Sequence, residues 1–145
     1  MRKIFFFLGL SMFLMACNQN GSNGGDSNGN SKVDELKGEV MKIHDVTMAK
    51  KGDIQSLLSS LKIAKYSTAE DSTSIQEAYK ALKSADESMM TWMHEFKQPD
   101  EQGWTAEEQI TYLEGELNKM TVIGDNTEAA LVLANSTLGN LNSGE

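Results

Sequence analysis

Two short windows of the sequence are rich in methionine and histidine, whose side chains bind soft metal ions. Their members are Met41, His44 and Met48 in the first window and Met89, Met90, Met93 and His94 in the second. Thioether and imidazole groups suit Cu(I) or the axial positions of a haem. Steps of three or four residues lead from Met41 to His44 to Met48, and from Met90 to Met93 or His94, so on a helix each set would share one face.

A helical hairpin that turns near residues 68–69 would bring the two windows together, with His44 level with Met93. The resulting hypothesis is a copper or haem site, for which the candidate ligands are Met41, His44, Met48, Met90, Met93 and His94. The interpretation that we favour is structural: methionine fills irregular gaps in a helical core, and the two histidines lie at its edge. Haem is the less favoured ligand, because the sequence has no Cys-x-x-Cys-His and a three-helix core leaves little room.

Other arrangements that could support chemistry are absent from the sequence. The acidic residues Asp45, Asp86, Glu87 and Glu95 fall on helix faces, and a solvated face explains them better than a catalytic pair. No local signature places a serine nucleophile beside a base, and there is no glycine loop of the phosphate-binding kind. The stretch from Asp26 faintly resembles a calcium loop, but its twelfth position is lysine instead of glutamate. We expect the protein not to be an enzyme.

Apolar residues recur at steps of three and four in three segments, which predicts helices at 32–64, 73–97 and 105–139. Thr73 with Gln76 and Thr105 with Glu108 have the spacing of capping boxes at the starts of the second and third helices. Pro99 lies in the interval between these two helices, where a proline is expected to end the first of them.

The predicted fold class is all-α, an antiparallel up-down-up bundle of three long helices, because no segment alternates polar and apolar residues. Gly52 with Asp53 and Gly124 with Asp125 are points where the first and third helices could break. The third helix is expected to extend past its partners, which would leave Leu131 to Leu141 partly exposed and available for dimerisation.

The N-terminal residues have the pattern of an export signal. Arg2 and Lys3 precede 13 apolar or small residues, Ile4 to Ala16, and these precede Cys17. This run is too short to span a membrane as a helix. Residues 17–31 contain no apolar side chain after Cys17, so we expect a disordered tether. The expected organisation is a cleaved signal peptide (1–16), a lipidated cysteine with its tether (17–31) and a helical domain (32–141).

The residues Leu14-Met15-Ala16-Cys17 resemble the lipobox of bacterial lipoproteins. The resemblance implies that Cys17 is acylated and becomes the first residue of the mature chain, which is then attached stably to a membrane. The Asn- and Gly-rich spacer is similar to those of Gram-negative Bacteroidota lipoproteins. No acidic cluster of the kind used for surface display follows Cys17, so the implied location is the outer membrane, facing the periplasm.

The body of the chain also resembles small Bacteroidota lipoproteins that carry the label "viral A-type inclusion protein". Two stretches bear the resemblance: Glu39 to Asp45 with Met48, Lys51, Gly52 and Asp53, and Ala85-Asp86 with Met89 to Phe96. It covers the first two predicted helices. It implies a helical lipoprotein and no particular activity.

Charge and cysteine content narrow the range of partners. The full chain has a net charge of −8, and removal of Arg2 and Lys3 with the signal leaves 21 acidic and 11 basic residues. Such a protein is repelled by nucleic acid. Cys17 is the only cysteine, so no intramolecular disulfide can form.

The leading hypothesis is a non-enzymatic envelope scaffold that contacts the membrane through acylated Cys17 and binds a protein partner or a second copy of itself. A periplasmic copper or haem binder is the alternative.

Overall fold

A computed structural model describes residues 26–143, and helices account for nearly all of them. The elements are α1 (Asp26–Met48), α2 (Lys51–Ile63), α3 (Ala69–Glu95), a 3₁₀ turn (Pro99–Glu101) and α4 (Ala106–Ser143). There is no strand within 26–143, so the all-α prediction is confirmed for this part of the chain. The expected signal peptide, Cys17 and the first part of the expected tether lie outside the described residues.

The helices form an up-down-up bundle in which α1 and α2 together make the first arm, α3 the second and α4 the third. Gly29 lies against Ala106 at the start of α4, and Ile63 and Leu141 line one shallow pocket at the opposite end. The first and third arms therefore run in the same direction. Helix α4 packs closely against α1, α2 and α3, whereas α1 and α3 stay further apart. The seam between α1 and α3 consequently needs long side chains to fill it.

The first arm breaks at Ala49–Lys50, three residues before the break considered at Gly52. The Lys50 amide bonds to the carbonyl of Thr47 instead of continuing the regular α-helical pattern. The buried Thr47 hydroxyl also donates to the carbonyl of Ile43 at 2.8 Å, a contact that bends helices. If the apolar stripe of the first arm continued regularly, Lys50 would lie in the core. Because the arm bends here, Lys50 forms an ion pair with Glu128 instead.

Helix α3 begins at Ala69, four residues before the predicted start. The capping box uses Thr68 and Asp71: the Thr68 hydroxyl accepts from the Asp71 amide at 3.1 Å, and the Asp71 carboxylate accepts from the Thr68 amide at 3.2 Å. The prediction that Thr73 and Gln76 form this box is wrong. Aspartate at the third helical position replaces the expected glutamate or glutamine, and Thr73 instead donates to the carbonyl of Ala69 inside the helix.

The second predicted capping box is confirmed at the start of α4. The Thr105 amide donates to the Glu108 carboxylate at 2.8 Å, and the Glu108 amide donates to the Thr105 hydroxyl at 3.3 Å. Pro99 is buried and opens the 3₁₀ turn that follows α3. Gly103 then takes the left-handed conformation, with φ of 69°, that reverses the chain into α4.

Helix α4 is continuous over 38 residues, so the break considered at Gly124 does not occur. The expectation that its C-terminal part extends beyond the bundle is also wrong. Leu131 and Ala134 are buried against α2 and α3, and Leu138 packs on the same cluster. The first arm, from Asp26 to Ile63, contains as many residues as α4, so it packs alongside α4 over its whole length.

Helix α1 begins at Asp26, six residues before the sequence predicts. Residues 26–31 were expected to belong to the tether, but they are helical. A Cβ on Gly29 would lie 3.0 Å from the Cβ of Ala106, so glycine permits the close approach of α1 to the start of α4 here.

The core consists of two clusters that follow one another along the bundle. The Trp92 cluster joins α1, α3 and the first half of α4; its buried members are Val33, Leu36, Val40, Met89, Trp92, Leu113 and Met120. The Leu82 cluster joins α2, α3 and the second half of α4; its buried members are Ile54, Leu61, Ala78, Leu82, Ala85, Ala130, Leu131 and Ala134. Because α4 contributes to both clusters, it connects the two halves of the bundle.

Candidate functional site

The methionine and histidine windows meet at the seam between α1 and α3. Met41 and Met48 of α1 and Met93 of α3 all pack on the Trp92 cluster. The His44 ring lies beside the Trp92 indole, with 5.5 Å between the ring centroids, within one residue of the level expected from the hairpin. Four of the six candidate ligands thus share one region of the molecule.

Met90 and His94 are more exposed positions of α3 than Met93. Each is two residues from Trp92, a rotation of about 200° around the helix. Met90 is 37% exposed, and its sulfur lies 3.8 Å from the Lys51 ammonium. His94 is exposed. A cation bound at Met90 would be repelled by Lys51, so the structure does not support the inclusion of these two residues in the set.

Hydrogen bonding fixes the orientation of His44. Its Nδ1 lies 2.9 Å from a carboxylate oxygen of Asp45, and only 16% of the His44 side chain is exposed. A carboxylate can only accept, so Nδ1 carries the proton and Nε2 presents its lone pair. This tautomer and this type of partner are typical of metal-binding histidines.

The buried carboxylate of Glu116 binds the Trp92 indole. This residue was not identified from the sequence. The indole Nε1–H donates to one carboxylate oxygen of Glu116 at 2.7 Å, and Lys119 donates to the other oxygen at 2.7 Å. Glu116 is only 5% exposed. Its hydrogen bond to Lys119 raises the pKa of that lysine. The position was recognisable from spacing, because Glu116 comes three residues after Leu113 and four before Met120 on the buried stripe.

Aromatic contacts continue from Trp92 into the loop before α4. Successive ring centroids are 4.8 Å apart from Trp92 to Phe96, 6.0 Å from Phe96 to Tyr112 and 5.0 Å from Tyr112 to Trp104. The Tyr112 hydroxyl accepts from the Lys97 amide at 2.8 Å. Burial raises the pKa of Tyr112, and the hydrogen bond from Lys97 partly offsets that rise. The row of rings fastens the α3–α4 loop to the Trp92 cluster.

The acidic residues considered as catalytic candidates do not converge. Asp86 accepts from Lys51 at 2.7 Å and from Gln55 at 3.3 Å, which links α2 to α3. Glu87 forms an exposed ion pair with Lys83. Asp45 orients His44, and Glu95 lies on the exposed side of α3. These four carboxylates are therefore separate from one another. Of the four, Asp45 is connected to the methionine cluster, through its hydrogen bond to His44.

A shallow groove runs along the outer face of α3 and α4, and we call it the α3–α4 groove. Its main part has a volume of about 490 Å³ and is bordered by Glu87, Thr91, Trp92, Glu95, Lys119 and Val122. A second part of about 280 Å³ continues past Ser84 and Ser88 to Ala129 and Leu133. Val122 and Leu133 are 50% and 39% exposed, so the floor of the groove offers apolar surface to solvent.

Within residues 26–143, no three His, Cys, Asp or Glu side chains come together as ligands of a metal ion. In the same range, no helix is apolar over a length that could cross a membrane. Comparison of the chain with protein-family models, curated proteins and solved structures finds no match.

Proposed function

We propose that this protein is a lipid-anchored lipoprotein of the bacterial cell envelope, attached through Cys17 to the outer membrane and facing the periplasm. Its helical bundle works there as a non-enzymatic interaction module. The anchor rests on Leu14 to Cys17, which follow a basic start and an apolar run as in lipoprotein signals. The α3–α4 groove, with Val122 and Leu133 exposed along it, is the observation that supports the interaction role.

The charge around the groove indicates what kind of partner fits. Glu87 and Glu95 border it; Lys119 in its lining is bonded to Glu116, and Glu87 forms an exposed ion pair with Lys83. A second copy would bring these carboxylates together in addition to its own net charge of −10, from the 21 acidic and 11 basic residues that remain after cleavage before Cys17. A protein segment that carries basic and small apolar side chains would be attracted by the same charges. We therefore propose a basic protein partner in preference to a homodimer.

Site-specific photo-crosslinking in intact cells tests this function. A photoreactive amino acid at Val122 or Leu133 is expected to give one discrete adduct, because both positions line the groove. The same group at Glu39, an exposed position of α1, serves as the matched control. An adduct of twice the protein's own mass would replace the basic partner with a homodimer. Equal labelling at all three positions, or none, would contradict the interaction role.

A second candidate function is periplasmic copper or haem binding. The observation that favours it is the meeting of His44, Met41, Met48 and Met93 beside Trp92. Copper suits this region better than haem, because Trp92 and Met89 are buried in the region that a porphyrin would have to occupy. A single ion occupies a far smaller volume than a porphyrin.

A further inference from the structure

We infer that His44, with the thioethers of Met41, Met48 and Met93, forms a binding site for one Cu(I) ion at the α1–α3 seam. This inference rests on the second proposed function and specifies its metal, its ligands and the residues that lie outside the site. It is independent of the lipid anchor and of the α3–α4 groove.

The imidazole is already arranged as a ligand. Asp45 accepts from Nδ1 of His44 at 2.9 Å, which leaves the lone pair of Nε2 for a metal. Trp92 lies against the ring at 5.5 Å, and Glu116 in turn fixes the indole. His44 is therefore held on two sides before any ion binds, which lowers the ordering cost of binding.

The methionines supply the soft donors. Met41 lies three residues before His44 and Met48 four residues after it, so their Cβ atoms are about 5–6 Å from that of His44 on the same helix face. Met93 reaches the same cluster from α3. All three are partly exposed, so an ion from solvent can reach them. Methionine side chains are flexible enough for their sulfurs to converge on one point.

The donor set selects the metal. Thioether sulfur favours Cu(I), whereas Zn²⁺ and other harder divalent ions prefer groups of His, Cys, Asp or Glu. No such group of three exists in the part of the chain that the structure describes.

Competition with a chromophoric Cu(I) chelator under anaerobic reducing conditions tests the site. The full chain, purified in detergent, is expected to bind one Cu(I) ion. Loss of an outer-shell partner typically lowers metal affinity 10–100-fold, so His44→Gln and the double variant Met41→Leu/Met48→Leu should each lower it at least about tenfold. Leucine conserves the volume of methionine, which keeps the cluster packed. Helix content and thermal midpoint, measured by circular dichroism, identify any variant that fails to fold.

The structure supplies matched controls in the same windows. Met90→Leu and His94→Gln change the same residue types at exposed positions of α3, and the Cu(I) affinity should stay within about twofold of the original. Cys17→Ser removes the only thiol, and one ion should still bind. In a Trp104→Phe background Trp92 is the only tryptophan, and Cu(I) should quench its emission except in His44→Gln.

Two results would overturn the inference in distinguishable ways. Absence of Cu(I) binding by the folded full chain would reject this site together with copper binding as the second proposed function. Cu(I) binding that survives His44→Gln but is lost in Met90→Leu, His94→Gln or Cys17→Ser would retain copper binding as a function and reject the site.

Discussion

The hydrogen bond from Trp92 to Glu116 fixes the position of the indole in the Trp92 cluster. Glu116 is one of 21 acidic residues in the chain, yet it is almost completely buried. A buried carboxylate is tolerated only when its oxygens are bonded, and Trp92 and Lys119 each bond one of them. The pair sets the position of the indole against which His44 packs. Glu116 therefore helps to position the proposed copper site, although it is not one of the proposed ligands.

Replacement of Glu116 by alanine is expected to lower the free energy of unfolding by about 1–3 kcal/mol. The buried indole N–H of Trp92 would lose its acceptor, and no other acceptor is bonded to it in the described residues. Urea denaturation followed by circular dichroism measures the change.

Glu114→Ala is the matched control, because Glu114 is an exposed glutamate on the same helix. It should change the free energy of unfolding by less than about 0.5 kcal/mol. Glu116→Gln keeps an acceptor for Trp92 and should cost less than Glu116→Ala. Equal losses in Glu116→Ala and Glu114→Ala would show that the buried hydrogen bond contributes nothing.

At the scale of the element, α4 carries two interior glycines whose surroundings differ. A Cβ on Gly124 would lie 3.4 Å from both Ile43 and Thr47, so this glycine marks the close approach of α1 and α4. A Cβ on Gly115 would have no neighbouring atom within 4 Å. The approach at Gly124 lies next to the bend of the first arm, where Thr47 is buried.

Substitution of these two glycines should have opposite effects on stability. Gly115→Ala is expected to raise the free energy of unfolding by up to about 1 kcal/mol through helix propensity. Gly124→Leu should lower it by about 1–3 kcal/mol, because the larger side chain would push α1 away from α4. Thermal melts of both variants measure the changes. Stabilisation by Gly124→Leu would mean that α1 and α4 do not approach each other closely there.

At the scale of the whole molecule, the methionine cluster lies away from the ends of the bundle. Helix α1 begins at the end of the bundle that holds the α3–α4 loop, where Lys37 and Asp100 form an ion pair at 2.7 Å. The methionine cluster begins about 22 Å along α1 from that end, from 1.5 Å per residue.

Cys17→Ser should release the protein from membranes into the soluble phase of a detergent partition. The change removes the only thiol that can be acylated, and 13 apolar residues are too few for a spanning helix. Metabolic labelling with palmitate should disappear in parallel. Ser22→Ala, a neutral change in the spacer, is the control and should stay membrane-bound. Unchanged labelling and partitioning of Cys17→Ser would contradict the anchor.

Sequence reasoning located the helices because their apolar stripes are regular, and it placed the Thr105–Glu108 cap because both members have the usual residue types. It missed the Thr68–Asp71 cap, where aspartate takes the place of glutamate. It also placed the break of the first arm at Gly52, whereas the break lies at Ala49–Lys50. The position of that bend depends on Thr47 and on the ion pair between Lys50 and Glu128, which lies 78 residues away along the chain.

The sequence by itself determined an all-α bundle and brought His44 to the level of the second methionine window, because helical spacing and a short turn leave few alternatives. Only the tertiary structure decided which ligand candidates face one another. Met93 packs on the Trp92 cluster, whereas the Met90 sulfur lies beside the Lys51 ammonium of α2 and His94 is exposed, because each successive residue of α3 is turned by 100° relative to the first arm. The position of Glu116 on the buried stripe was visible in the sequence, but its partner was decided by packing, because the indole from which it accepts belongs to another helix.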